Sequence, residues 1–371
     1  MTKMGDTVEE RFPMHEPIQS VAATRGIVIL FDPPSYHYYN NQFFNLDTAL
    51  NRDNTLRPNN ELKRRLESCG YPVFTADMLD EIRPLYEGCR FHYWGFGVPV
   101  SRALAFASDN LDKIGAALFE PPLVKPADYR DIKSLTKIFR KVYLHNSVGD
   151  GYELSDDVDT SKIEKLIWTN RNYTNADASS APAKRLKKFA MIAGAHFKKA
   201  RPENGYGRRL EAIECLAPKS ALDLYGFGWQ RVQIRAPFAS LFWRFKLWRY
   251  GLDVCSPTSK NDVYRHYDFA LCFENMLMTG YITEKLFDAL FAGCIPVYWG
   301  ASDIAHYVPQ DCYINLDDFS DMQACFDHCL GLSTAEKNAY RTAISRFLVS
   351  SEFSIFHNGF HGQIATFYGA D

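Results

Sequence analysis

The chain has 371 residues, 46% hydrophobic and 23% charged, with a formal net charge of −2. That length accommodates two domains of ordinary size. The near-neutral balance excludes a global electrostatic pull toward nucleic acid, so any contact with a polyanion must be local. Nine cysteines are an odd number, and several lie in apolar runs (Cys272, Cys294) or predicted helices (Cys215, Cys325). They read as small core residues of a reducing compartment. Cys325 and Cys329 lack the paired histidines of a zinc site, and zinc chemistry is not the expectation. No apolar stretch approaches the ~20 residues of a membrane span, and the first 25 residues lack a signal-peptide core. A cytoplasmic protein is the expectation.

In chain order, strands are predicted near 26–31, 72–75, 113–119 and 141–144. A second series falls near 188–194, 221–227, 267–273, 295–299 and 312–315. Helical periodicity lies between most of them, for example over 208–217 and 283–292, the alternation that builds parallel sheets. The polar segment Asn170 to Lys184 reads as a hinge. The predicted fold is therefore α/β, with two Rossmann-like domains facing each other across a cleft. The first spans 1–170 and the second 185–345, while 346–371 is helical and can cross back onto the first.

Polar chemistry concentrates in the stretch from Phe269 to Gly300. The apolar run 269–273 reads as a buried strand, and Thr283 reads as the N-cap of a helix with Leu286, Ala289 and Leu290 on one face. Gly293 is placed to end that helix, and 295–299 supplies the next strand. Tyr281, Glu284 and Lys285 thus cluster at a helix N-terminus, where free N–H groups and the helix dipole favour an anion and Lys285 adds a full charge. A carboxylate beside a phosphate would be repelled, so Glu284 is assigned to ribose hydroxyls. On spacing alone, a capped amphipathic helix with a surface Glu/Lys pair explains the same residues.

Glu120 follows the predicted strand 113–119 directly, at the carboxyl end where α/β sheets bind ligands. By itself it also reads as a loop glutamate before a proline turn. Arg208 and Arg209 open a predicted helix, with Lys198, Lys199 and Arg201 nearby; an anion site and a solvated basic helix start are both open. Asp157 and Asp159 form an Asp-x-Asp in an acidic stretch away from the Phe269–Gly300 cluster, and read as a solvated loop rather than a metal chelate. Residues 236–250 interleave Phe242, Trp243, Phe245 and Trp248 with Arg244, Lys246 and Arg249. That composition suits an interfacial helix on anionic lipid, an aromatic loop in the cleft, or a core helix with snorkelling basic stems.

The run Phe-Glu274-Asn275, Tyr281-x-Thr283-Glu284-Lys285, Ala-Gly-x-x-Pro296-Val-x-x-Gly300 resembles the signature of the α-1,3/4-fucosyltransferases, family 10 of the glycosyltransferases. The resemblance extends downstream through Tyr307-x-Pro309 and Tyr313 to Phe319, and upstream through Arg209 to Pro218 and Asp223 to Gly226. It covers about 188–320 and is thin before residue 180.

The resemblance implies a GT-B enzyme that transfers L-fucose from GDP-fucose to a glycan hydroxyl with inversion, α-1,3-type linkage, no metal and no other cofactor. It implies Glu120 as the catalytic base, although Pro121 stands where the family context has Ser. The donor-binding set it implies is Arg209, Glu274, Asn275, Tyr281, Thr283, Glu284 and Lys285, with Arg209 favoured over Arg208 by register. Glu274 is assigned to fucose hydroxyls and Tyr281 to packing on sugar or base. The partners implied are a nucleotide sugar and an oligosaccharide or glycolipid acceptor, with no nucleic acid. Peripheral contact with the inner membrane face through 236–250 is a further reading. Two alternatives stay open: a GT-B transferase using another nucleotide sugar, and a nucleotide-sugar-binding protein without catalysis.

Overall fold

The computed structural model describes residues 21–97, 102–103, 111–147, 150–170, 172–173, 184–197, 203–257 and 259–370. Six strands form the first sheet: β1 (Ile27–Asp32), β2 (Val73–Thr75), β3 (Arg90–Phe96), β4 (Asp112–Ala117), β5 (Lys141–Leu144) and β6 (Ile163–Lys165). Five form the second: β7 (Leu186–Ile192), β8 (Leu222–Tyr225), β9 (Tyr267–Phe273), β10 (Ile295–Trp299) and β11 (Ile314–Asn315). The orders are β2-β1-β3-β4-β5-β6 and β8-β7-β9-β10-β11, and every pairing is parallel. Both sheets reverse direction of growth after their second strand, between β1 and β3 and between β7 and β9. Such switch points leave a crevice at the carboxyl ends of the strands.

The sheets are buried on both faces, which explains their continuous apolar runs. On the second sheet, Phe269, Leu271 and Phe273 pack with Ala212, Ile213 and Leu216 of the helix Gly205–Leu216. The alternate residues Ala270 and Cys272 pack with Leu286, Phe287 and Leu290 of the helix Glu284–Phe291. On the first sheet, Ile29, Phe31, Trp94 and Phe96 face Leu62 and Leu66 of the helix Arg57–Ser68.

The expected strands at 141–144, 267–273 and 295–299 have those bounds, whereas β3 and β6 are additional to the sequence reading. β3 reads Arg-Phe-His-Tyr-Trp-Gly-Phe, with Arg, His and Gly breaking the aliphatic pattern, yet it is the buried centre of its sheet. The expected hinge between Asn170 and Lys184 lies mostly outside the described residues, as do Lys198, Lys199 and Arg201.

The last helix, Ser354–Phe367, returns to the first sheet, where Phe360 and Ile364 join its core. Tyr368 beyond it accepts a hydrogen bond from Trp94 Nε1 at 3.0 Å. Gly359, with φ +44°, crosses Thr169 so closely that a Cβ would lie 2.7 Å from the Thr169 Cα. A second link runs the other way. The loop after β9 inserts Met276, Met278 and Tyr281 into the first sheet's core, all at most 2% exposed.

Candidate active site

The carboxyl ends of the two sheets enclose a cavity of about 800 Å³. The first half contributes Gly97 after β3 and Phe119 and Glu120 after β4; the second contributes Gly194 after β7, Gly226 after β8 and Asn275 after β9. Arg209, Tyr281, Glu284 and Lys285 complete that side.

Asn275 connects the two walls. Its Nδ2 donates toward Glu120 Oε2 at 3.5 Å and toward Tyr281 Oη at 3.4 Å. Its Oδ1 accepts from an Arg209 guanidinium nitrogen at 3.0 Å, and the same nitrogen donates to the Phe273 carbonyl at 2.5 Å. Arg209 is thereby fixed at the end of β9, and its guanidinium lies 5.1 Å from the Tyr206 ring centroid. Arg208 pairs with Glu211 at 3.2 Å and does not line the cavity.

Backbone proximity makes this possible. The helix carrying Arg209 begins at Gly205, whose N–H donates to the Asn275 carbonyl at 3.2 Å. A Cβ on Gly205 would sit 1.8 Å from the Glu274 carbonyl oxygen, so no side chain fits there.

Two residues of the expected donor set do not line the cavity. Glu274 is fully buried, and its carboxylate accepts from the Thr283 N–H at 2.7 Å, the Thr283 hydroxyl at 2.8 Å and Lys285 Nζ at 3.1 Å. Its oxygens are engaged by the protein, away from the cavity lining. Thr283 occupies the N-cap position but makes no side-chain cap; its hydroxyl serves Glu274 and accepts from Lys285 Nζ at 2.9 Å. Gly300 borders the same cluster, since a Cβ there would lie 2.5 Å from the Glu274 Cγ. Together Glu274 and Thr283 form a buried bracket that aims Lys285 into the cleft.

Electrostatics fixes the protonation states. Burial would lower the Lys285 ammonium, but Glu274 and Glu284 raise it above its ordinary value, so it stays charged. Burial would raise Glu284, yet Lys285 and Lys260 hold its carboxyl down at about 2. Lys260 was absent from the sequence reading; its Nζ bonds Asp288 Oδ2 at 2.7 Å, and both residues line the cavity. Asp288 lies one helical turn after Glu284, a spacing that could have flagged it. Lys260 N–H also donates to Asp53 Oδ1 at 2.9 Å, a bond from the second half to the first.

Behind Glu120 lies His145, fully buried, with Nε2 3.0 Å from the Phe119 carbonyl and its ring 4.9 Å from that of Tyr281. Burial pushes its pKa down to about 4, so the ring is neutral. The first half's wall of the cavity is aromatic, with Tyr38, Phe43, Phe96, Phe119 and Trp168. Asn59, Thr169 and His361 add polar groups, and His361 bonds both of the others, at 2.7 and 2.8 Å. These residues come from distant parts of the chain, and no local pattern announces them.

Among the described residues no three His, Cys, Asp or Glu side chains converge as metal ligands. Asp157 pairs with Lys133 and Asp159 bonds Ser161, both in exposed positions away from the cavity. The 236–250 segment contributes nothing to the cavity lining. That overturns the reading of it as a cleft loop.

Two parallel doubly wound sheets with a cleft between their carboxyl ends define the GT-B class of glycosyltransferase folds. The solved structure of Anabaena Alr3699/HepE in complex with UDP and glucose has this fold at a TM-score of 0.53 and 12% identity, over 93% of this chain and 100% of that one. Residues 185–344 match the family model for the C-terminal domain of glycosyltransferase family 10 (fucosyltransferase). The chain is 40% identical over 82 residues to the Helicobacter pylori Alpha-(1,3)-fucosyltransferase FucT, and 45% identical over 58 residues to the Arabidopsis thaliana Alpha-(1,4)-fucosyltransferase. Those segments span 22% and 16% of this chain and 17% and 14% of the relatives.

Proposed function

We propose that the protein transfers L-fucose from GDP-fucose to a glycan hydroxyl, with inversion and in an α-1,3-type linkage, without a metal. The observation that carries this reading is Asn275, which touches the Glu120 carboxylate on one side and the Arg209 guanidinium on the other. Base and diphosphate cation are thus held within one side chain's reach.

In a single displacement the acceptor oxygen attacks the anomeric carbon while the bond from that carbon to the diphosphate oxygen breaks. The acceptor proton passes to Glu120, and the electron pair of the broken bond stays on the diphosphate. Arg209 supplies a fork for phosphate oxygens and Lys285 a compact charge. Because both are prepositioned, little reorganisation accompanies the reaction. Glu284, ionised throughout the neutral range, accepts from ribose hydroxyls. The aromatic wall suits stacking on the sugar faces of an oligosaccharide or glycolipid acceptor, and the chain works from the cytoplasm.

The GDP-fucose assignment rests on the family-model match over residues 185–344, since the cavity's charges suit any nucleoside diphosphate sugar. A thermal-shift panel tests it. GDP is expected to raise the melting temperature at concentrations where UDP and ADP do not; a larger shift with UDP would instead favour another nucleotide sugar. Turnover unchanged by EDTA tests metal independence.

A further inference from the structure

The helix Pro237–Arg249 is apolar on two opposite sides, and only one of them is covered. Trp243 and Leu247 enter the second domain's core, with Ser240 buried between them. Trp243 therefore belongs to the fold. On the opposite side Phe238, Leu241, Phe242, Phe245 and Trp248 form one stripe at i, i+3, i+4, i+7 and i+10 spacing, all exposed, with Phe238 at 87% and Trp248 at 75%. Ile234 in the preceding loop, 97% exposed, extends it. A helix that is apolar all round is ordinarily buried all round, so this outer face lacks a partner.

Charge identifies the partner. Residues 227–252 hold five basic residues and no acidic one, in a chain whose net charge is −2. Lys246 pairs with Glu214. Arg231, Arg235, Arg244 and Arg249 form no ion pair with any described residue, and all are exposed. On the helical projection Arg244 borders one edge of the stripe and Lys246 the other, while Arg249 stands at its C-terminal end. Apolar side chains that reach down, with arginines at their edges, match the boundary between acyl chains and anionic headgroups.

We propose that this face docks the protein on an anionic lipid bilayer. The same basic, acid-free segment reaches the cleft: Phe227, exposed and two residues after β8, lines the cavity, and a Cβ on Gly194, itself a cavity residue, would be 3.3 Å from its ring. A bilayer on this face would put lipid headgroups beside the cavity mouth, where a lipid-borne acceptor sugar could enter. The docking itself does not depend on the donor assignment.

Vesicle flotation of the whole chain tests it. Wild type is expected to float with phosphatidylglycerol-rich vesicles at least about tenfold more than with pure phosphatidylcholine, with high salt reducing the difference. The Phe238→Ser, Trp248→Ser double variant is expected to stay in the aqueous fraction with an unchanged melting temperature. Should that variant fold poorly, Arg244→Glu, Arg249→Glu tests the same face without touching its apolar residues. Wild type that fails to float on anionic vesicles overturns the proposal. So does a wild-type dimer in sedimentation that the double variant renders monomeric, since the face then serves a second copy of the chain.

Discussion

Individual side chains in the cleft divide into those that face it and those that hold the others in place. Glu120→Gln is expected to keep GDP binding and lower turnover by about 10²- to 10⁴-fold, the contribution of a positioned base. Lys285→Ala is expected to weaken GDP binding in calorimetry, and Arg209→Ala likewise. Glu274 belongs to the second group. Glu274→Ala leaves Lys285 partly buried without its inner carboxylate and the Thr283 N–H without an acceptor. A stability loss of about 3 kcal/mol or more in urea unfolding is expected, alongside weakened GDP binding. A direct ligand contact at Glu274 would instead weaken binding with stability intact.

His145 gives stability a pH dependence of definite sign. Its folded pKa of about 4 lies below its ordinary value of 6.5. The unfolded chain therefore takes up the proton first, so stability is complete above the ordinary value and falls as pH drops from there to about 4. The loss is about 3 kcal/mol over that window. Urea unfolding at neutral and mildly acidic pH measures it; burial holds His92 at about 4 as well, so His145→Asn is expected to reduce the slope by His145's share and leave that of His92. An equal slope in the variant would remove His145 as its source.

Among elements, the unit from β9 through the helix Glu284–Phe291 to β10 was the most legible in the sequence. Its strands are apolar runs bounded by polar residues. Its helix ends as the glycine foretells, with Gly293 at φ +63° and its N–H bonded to the Leu290 carbonyl at 2.9 Å. The partners of its polar residues were not legible. Glu274 and Thr283 share a motif with Lys285, and a motif does not say which members turn inward. The 236–250 helix shows the same limit: its composition admitted three readings, and only the burial of Trp243 beside the exposure of Trp248 separates them. Gly205→Ala is the corresponding test of backbone proximity. It is expected to lower the melting temperature and weaken GDP binding, because displacing the helix start moves Arg209.

At the scale of the molecule, two α/β halves were foreseeable from the alternation of strands and helices, although their strand orders were not, and β3 escaped notice because its burial comes from position in the sheet. What joins the halves was invisible. Met276 and Met278 look like ordinary loop residues, yet they enter the first sheet's core beside Tyr281, and Thr279 N–H bonds Asp150 at 2.8 Å. The loop that carries the donor-side residues is thus packed into the domain that carries Glu120, which fixes the two walls relative to each other. Met278→Ala is expected to cost about 2–5 kcal/mol in stability, in the range of large-to-small core changes. A larger loss in turnover than in GDP affinity should accompany it.

The assembly of Glu120, Asn275 and Arg209 across the cleft is tested most directly by GDP release from GDP-fucose with a panel of acceptor glycans, at saturating donor, for wild type and Glu120→Gln. Acceptor-dependent release by wild type is expected, with a fall of at least about a hundredfold in the variant and GDP binding retained. Near wild-type release by the variant would contradict that assembly.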